Sequence, residues 1–192
     1  MDRLNGALRL ALKILPLLLW VCILLFAGNP ALAADPQSTG MFQPHFGNIP
    51  EELATAVAAN KRLLIYFWQE GCPYCEQMEK EVFSLPKVKK LVGERFHAIE
   101  VNIFGAVEIT NFSGVRINEK GFSKELKVSY TPTVVFFEKE GAEVFRLPGF
   151  WREPHFMAAV SYVSDGDYKK TSFQDFLRYK WFNPEKKKEG GE

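Results

Sequence analysis

Leu63-Leu64-Ile65-Tyr66-Phe67-Trp68-Gln69-Glu70-Gly71-Cys72-Pro73-Tyr74-Cys75 decides the fold. Its first six residues are apolar without alternation, the pattern of a central strand covered on both faces. Gln69-Glu70-Gly71 ends the strand. Cys72-Pro73 then opens a helix, because Pro has a preset φ and its missing N–H is not needed in a first turn. A strand therefore delivers a Cys-x-x-Cys motif directly to a helix start.

That placement is chemically meaningful. The thiolate is the nucleophile of disulfide exchange, and free N–H groups and the dipole at a helix N-terminus stabilise an anion. Cys72, in the cap position, benefits most. Cys75 lies one turn on, within reach to close a disulfide. Cys72 is expected to attack a partner disulfide, and Cys75 to attack Cys72 and release the reduced product. On the residues alone, half a metal site and an inert structural loop remain alternatives. His45, His97 and His155 lack metal-motif spacing to the pair, so no metal ligand is assigned.

The sequence upstream places the pair in a compartment. Arg3, Arg9 and Lys13 precede an apolar run from Ile14 to Ala27, and Ala31-Leu32-Ala33 gives a small-x-small cleavage pattern. Residues 1–33 read as a signal peptide. The run is short of the roughly 20 apolar residues of a spanning helix, and an uncleaved anchor is the alternative. Without this segment the chain keeps two of its three Cys, both in the motif. Export puts them in an oxidising space such as a bacterial periplasm.

The rest reads as one alternating α/β domain. Residues 34–47, rich in Pro, Gly and polar groups, read as a linker. Asn48-Ile49-Pro50-Glu51-Glu52 is a helix start, with the helix running to about Asn60. The motif helix extends to about Phe83, and a short helix follows Pro86 to Val92. Strands are expected at Phe96–Ile103, Thr133–Phe137 and Glu143–Leu147, the last two joined through Glu140-Gly141. Ala106–Ile117 reads as a hairpin turning at Ser113-Gly114. Helices are expected at Phe122–Val128, Glu153–Val163 and Ser172–Lys180. The domain spans 48–182, and the charged segment 183–192 reads as a flexible tail. Trp151, Tyr162, Phe173, Phe176 and Trp181 are expected to pack the C-terminal helices on the sheet.

Composition closes off some classes. Lys plus Arg is 24 against 23 for Asp plus Glu in 192 residues, a net charge of +1. No basic excess supports nucleic-acid binding. Three Cys cannot form a four-thiolate zinc site or staple a small scaffold.

The quoted stretch, with Thr131-Pro132-Thr133 and Leu147-Pro148-Gly149, resembles a thioredoxin-fold protein. Gln69-Glu70-Gly71, Met78-Glu79-Lys80-Glu81-Val82-Phe83 and Ser172-Phe173-Gln174-Asp175-Phe176-Leu177 resemble the exported SoxW-like group. The resemblance spans residues 46–182. It implies a thioredoxin-like α/β fold: a central mixed sheet flanked by helices, here with an inserted hairpin and an extra C-terminal helix. It implies a periplasmic thiol–disulfide oxidoreductase without a cofactor and monomeric. Such a protein reduces protein disulfides with electrons from a membrane thiol transporter of the CcdA/DsbD type. An oxidant or isomerase, or a metal or apocytochrome-thiol chaperone, is the alternative.

The resemblance also assigns further site residues. Thr131-Pro132 becomes a cis-Pro loop beside the thiols, presenting the Thr131 backbone to an extended substrate. Trp68 matches a thioredoxin Trp, while Gly71 replaces the Trp next to the first Cys. Pro73-Tyr74 is the dipeptide of glutaredoxins, which suggests a potential between about −270 and about −200 mV. Tyr66 stands in place of a buried Asp, and Glu100 in place of its Lys partner. Glu100, raised by burial, is then a candidate proton acceptor for Cys75, and a solvated or salt-bridged Glu100 is the alternative. The hairpin is expected near the active-site face, narrowing partner choice, with a passive surface insertion as the alternative.

Overall fold

In the computed structural model, residues 40–45 and 47–182 are described. The expected signal peptide at 1–33, the start of the expected linker and the expected tail at 183–192 lie outside them.

The elements run α1 (Ile49–Ala58), β1 (Arg62–Trp68), α2 (Pro73–Met78) with a π-helical turn Glu79–Phe83, α3 (Pro86–Arg95) and β2 (Phe96–Asn102). Then come β3 (Glu108–Thr110), β4 (Arg116–Asn118), α4 (Glu119–Glu125), β5 (Thr133–Phe137), β6 (Glu143–Pro148) and α5 (Glu153–Ser164). A 3-10 turn Asp167–Lys169 leads to α6 (Phe173–Phe176) and a second π turn Leu177–Trp181. The main sheet has the order β2-β1-β5-β6. β1 and β2 are parallel, and β5 and β6 each run antiparallel to their neighbour. This is the expected mixed sheet with helices on both faces.

The apolar run of β1 splits between those faces. Leu64 and Tyr66 join Phe96, Ala98, Val134 and Phe136 under α2, α3, α5 and α6. Leu63, Ile65 and Phe67 join Ile99, Val101, Val135 and Phe137 under α1, α4 and the β3–β4 hairpin. Every residue from Leu63 to Phe67 is fully buried, so the absence of alternation reports two cores. Phe173 packs on Phe145 with ring centroids 4.8 Å apart, and Phe176 is buried; these rings seat α6 on the first face.

Several starts follow from capping. Asn48 Oδ1 accepts from Glu51 N–H at α1, and Ser172 Oγ from Asp175 N–H at α6. At α4, Asn118 Oδ1 accepts from Gly121 N–H at 2.8 Å. That cap starts α4 at Glu119, three residues before the sequence-based expectation.

Two expectations are corrected. Residues 41–45, read as linker, are docked. Met41 and Phe42 are buried, Gln43 N–H donates to Ala98 O at 2.7 Å, and His45 Nε2 bonds Glu100 O at 2.8 Å. Gly47 N–H donates to His45 Nδ1, so the imidazole carries its proton on Nε2. This strap satisfies backbone carbonyls on the outer edge of β2, groups an edge strand leaves open.

The hairpin also points differently from the expectation. β5 runs opposite to β1, so the β5–β6 turn lies at the sheet edge away from Cys72. Phe112, at the hairpin turn, packs on Phe137 (5.0 Å) and faces Gly141 of that turn. The hairpin tip therefore leads away from the dithiol, because Ile109, Phe112 and Ile117 bury against the second core. Only its base, with exposed Phe104 and Val107, starts at the β2 end nearest the motif.

Gly47 has φ +74°, and a Cβ there would sit 2.5 Å from the backbone oxygen of Glu108. Gly47→Ala is expected to destabilise the fold by about 1–3 kcal/mol, read as a lower denaturant midpoint. Glu138 ends β5 beside Arg62, Lys169 and Tyr168. Burial would raise its carboxyl, but these donors and charges hold it at about 2. A depressed carboxyl stabilises the fold above its ordinary value and loses that contribution as pH falls toward the folded value. Glu138→Gln is therefore expected to flatten the fall in stability below about pH 4.5, measured by unfolding across the acid range.

Candidate active site

Trp68 ends β1, and its carbonyl accepts from Ile103 N–H at 2.9 Å, tying the strand end to β2. The chain then turns through Gly71, at φ +65°, a conformation other residues reach at a cost. Cys72 follows as the N-cap of α2 with Pro73 in the first turn. Its carbonyl accepts from Cys75 and Glu76 N–H.

Cys72 and Cys75 form a disulfide, with Cα atoms 5.2 Å apart. Cys72 Sγ accepts two hydrogen bonds: from Cys75 N–H at 3.1 Å and from Thr131 Oγ1 at 3.3 Å. The Thr131–Pro132 peptide bond is cis. These are donors a thiolate at Cys72 would use, and hydrogen bonds to the charged form lower a thiol's pKa.

The sulfurs are largely covered. Cys72 keeps 6% of its surface and Cys75 2%. Tyr74 at 62% and Tyr130 at 60% stand exposed on either side, together with Gly71 and Pro73. The outer sulfur is reached through this rim.

The remaining candidates are placed as follows. Trp68 is half-buried against the first core. Pro132 is buried and Thr131 half-buried. Glu100 is half-buried on β2, opposite Tyr66 in the β1–β2 register. The three His residues are engaged elsewhere: His45 on β2, His97 with Glu52 at 2.6 Å, and His155 against the rings of Trp151 and Phe182.

Glu79 was not singled out from the sequence. It opens the π turn, its N–H donates to Cys75 O, and its Oε1 accepts from the Tyr66 hydroxyl at 3.1 Å. Burial raises its carboxyl, Glu76 adds to that, and the Tyr66 hydrogen bond opposes it. Tyr66 is raised, first by burial and then by the charge of Glu79 and its hydrogen bond. The sequence signal was a Glu four residues after Cys75, on the same helix face.

A family model for the thioredoxin-like domain matches residues 49–164. The chain is 30% identical over 107 residues to the thiol:disulfide interchange protein DsbD of Salmonella typhi, covering 55% of this chain and 17% of that protein. It is 29% identical over 94 residues to the DsbD of Photorhabdus laumondii, covering 48% and 15%. The chain thus spans about a sixth of the length of the curated relatives it matches. A thioredoxin-fold protein from Helicobacter pylori superposes with a TM-score of 0.53 at 25% identity, covering 62% of this chain and 80% of that one.

Thr131→Val removes one of the two donors on Cys72 Sγ. A hydrogen bond of about 1 kcal/mol is roughly fivefold in thiolate population. The reduced variant is expected to react with iodoacetamide several-fold more slowly at neutral pH.

Proposed function

The chain belongs to the thioredoxin-like domain family as a thiol–disulfide oxidoreductase, and from that premise we propose that it reduces protein disulfides in the periplasm. Cys72 thiolate attacks a substrate disulfide, forming a Cys72–substrate bond and releasing one substrate thiolate. Cys75 then attacks Cys72 Sγ, closing the Cys72–Cys75 bond and releasing the second thiolate. Two electrons pass to the substrate, and the protein ends in the disulfide form.

The single observation that carries this reading is the sulfur of Cys72 at a helix N-terminus, accepting hydrogen bonds from Cys75 N–H and Thr131. Tyr74 and Tyr130 give an extended apolar segment something to lie against, and the Thr131 backbone would pair with it by strand addition. The expected pairing at Thr131-Pro132 makes that loop the substrate edge, with Trp68 supporting the motif from behind.

Reduced protein must be regenerated. The similarity to DsbD supports a membrane thiol transporter of the CcdA/DsbD type as the electron source. The leader-like sequence at 1–33 supports export, by cleavage or as an anchor. Among the described residues no helix is long and apolar enough to cross a membrane. The sequences flanking the motif support a SoxW-like assignment, and the proposed protein acts as a monomer through its dithiol.

Equilibration of the Cys72–Cys75 pair with defined dithiothreitol ratios is expected to give a potential below about −200 mV. A value near the about −120 mV of a strong oxidant would overturn the reductant assignment. Cys75→Ser is expected to accumulate mixed disulfides with periplasmic proteins in non-reducing gels. Cys72→Ser, lacking the attacking sulfur, is expected to accumulate none.

A further inference from the structure

β6 carries one extra residue. Phe137 pairs with Glu143 and Phe136 with Phe145, so Val144 is a bulge. Residues three apart on a regular strand point to opposite faces, and a bulge between them shifts that parity. Glu143 pairs with Phe137 and Arg146 with Val135. Both partners belong to the second core, so both charged residues stand on the face that α4 covers. There Glu143 accepts from Nε and Nη2 of Arg146.

The same guanidinium reaches α4. Arg146 Nη2 donates to Leu126 O at 3.0 Å, the carbonyl of the residue that caps α4. The rest of that helix end closes on itself. Lys127 N–H donates to Lys124 O and Val128 N–H to Ser123 O, the paired bonds of a helix whose next residue is left-handed. That residue is Lys127, at φ +55°, a conformation that costs a side chain more than it costs Gly. Leu126 O is left over by this pattern and takes a cation from β6, which also suits the negative end of the helix. The hydrogen bond to Glu143 raises the guanidinium above its ordinary value, burial opposes this, and Glu143's charge and Tyr130 add to it.

Leu126 starts the loop that ends at Pro132. Lys127, Ser129 and Tyr130 in it are exposed, Thr131 is half-buried and Val128 is buried. Its far end is tied by Thr133 Oγ1, which donates to Tyr130 O at 2.9 Å. Between these ties the loop delivers Thr131 Oγ1 to Cys72 Sγ at 3.3 Å. A loop with so few buried anchors holds a hydroxyl on one sulfur only while both its ends are fixed. We propose that Arg146, held by Glu143 across the Val144 bulge, is a positioning residue for the dithiol: by pinning Leu126 O it sets the loop so that Thr131 donates to Cys72. The proposal rests on the reading of Cys72 as the attacking thiol. It brings an edge strand, two places from β1 in the sheet, into the control of that thiol, although Arg146 touches no reacting atom.

The test reads the Cys72 thiolate in the reduced full-length chain, by its ultraviolet absorbance across pH and by the rate of reaction with iodoacetamide at neutral pH. Arg146→Met keeps the aliphatic stem and removes the donors. It is expected to raise the thiolate midpoint and to slow alkylation about threefold, part of the roughly fivefold that one hydrogen bond carries. In a Thr131→Val background, where the hydroxyl is already gone, Arg146→Met is expected to change neither quantity, because the two residues act in series. Glu143→Gln frees the guanidinium from its other side and is expected to move both quantities in the same direction as Arg146→Met, again only when Thr131 is present. Should Arg146→Met not fold, Glu143→Gln in the two backgrounds decides alone. A loss by the same factor in both backgrounds would mean a direct effect of charge or a general loosening, and would overturn the proposal. So would a midpoint unmoved in both Arg146→Met and Glu143→Gln. If the unaltered reduced protein releases no thiolate from dithiobis(nitrobenzoate), it is the redox reading itself that fails, whatever the variants do.

Discussion

The burial of β1 on both faces is the constraint on which the rest depends. Five consecutive residues, Leu63 to Phe67, are removed from water, three toward one core and two toward the other. A strand held this way has no freedom to slip its register, since a shift of one residue would exchange the two sets of side chains. Its C-terminal end is therefore a fixed point, and the turn through Gly71 transfers that fixed position to Cys72. The neighbouring strand β5 brings Thr131 to the same point from the other direction, because antiparallel pairing puts Thr133 opposite Phe67. Two segments 59 residues apart in sequence thus meet at one sulfur.

The same packing explains why polar chemistry can operate behind the motif. Tyr66 is an interior residue of the first core, yet its hydroxyl has a partner in Glu79, so the buried polar group is satisfied. The partner is itself partly desolvated, which favours its protonated form. The pair is stable because each supplies what the other lacks, and the stack with Phe42 shields it. The docked strap Met41–His45 is therefore part of the surroundings of the Tyr66–Glu79 pair, although it lies outside the matched family segment.

Legibility in the sequence followed the range of the interactions. β1, β5 and β6 were readable because apolar runs and the Glu140-Gly141 turn are local. The starts of α1, α2 and α3 were marked by Pro50, Pro73 and Pro86, and the Cys72/Cys75 pair by its spacing after a strand. The strap was not readable: its composition is that of a linker, and what orders it is the open edge of β2, which only the assembled sheet presents. The direction of the hairpin was equally hidden, since Phe112 finds Phe137 across the second core. Glu79 was visible as a residue but not as a partner. Its contact needs the inward pointing of Tyr66 on a strand 13 residues earlier, whereas Glu100 drew attention through the thioredoxin resemblance, as the residue in place of a Lys partner.

The nearly covered sulfur has a physical consequence for selectivity. Covering a thiolate disfavours its charged form, and the two donors at the helix start oppose that cost. Acidity comes from the backbone of α2 and from Thr131. The exposed rings near the motif are Tyr74 and Tyr130. Apolar rings on both sides favour a partner segment that is itself apolar near its disulfide, since each buried ring gains roughly in proportion to the area it loses to water. A small soluble disulfide gains none of this contact.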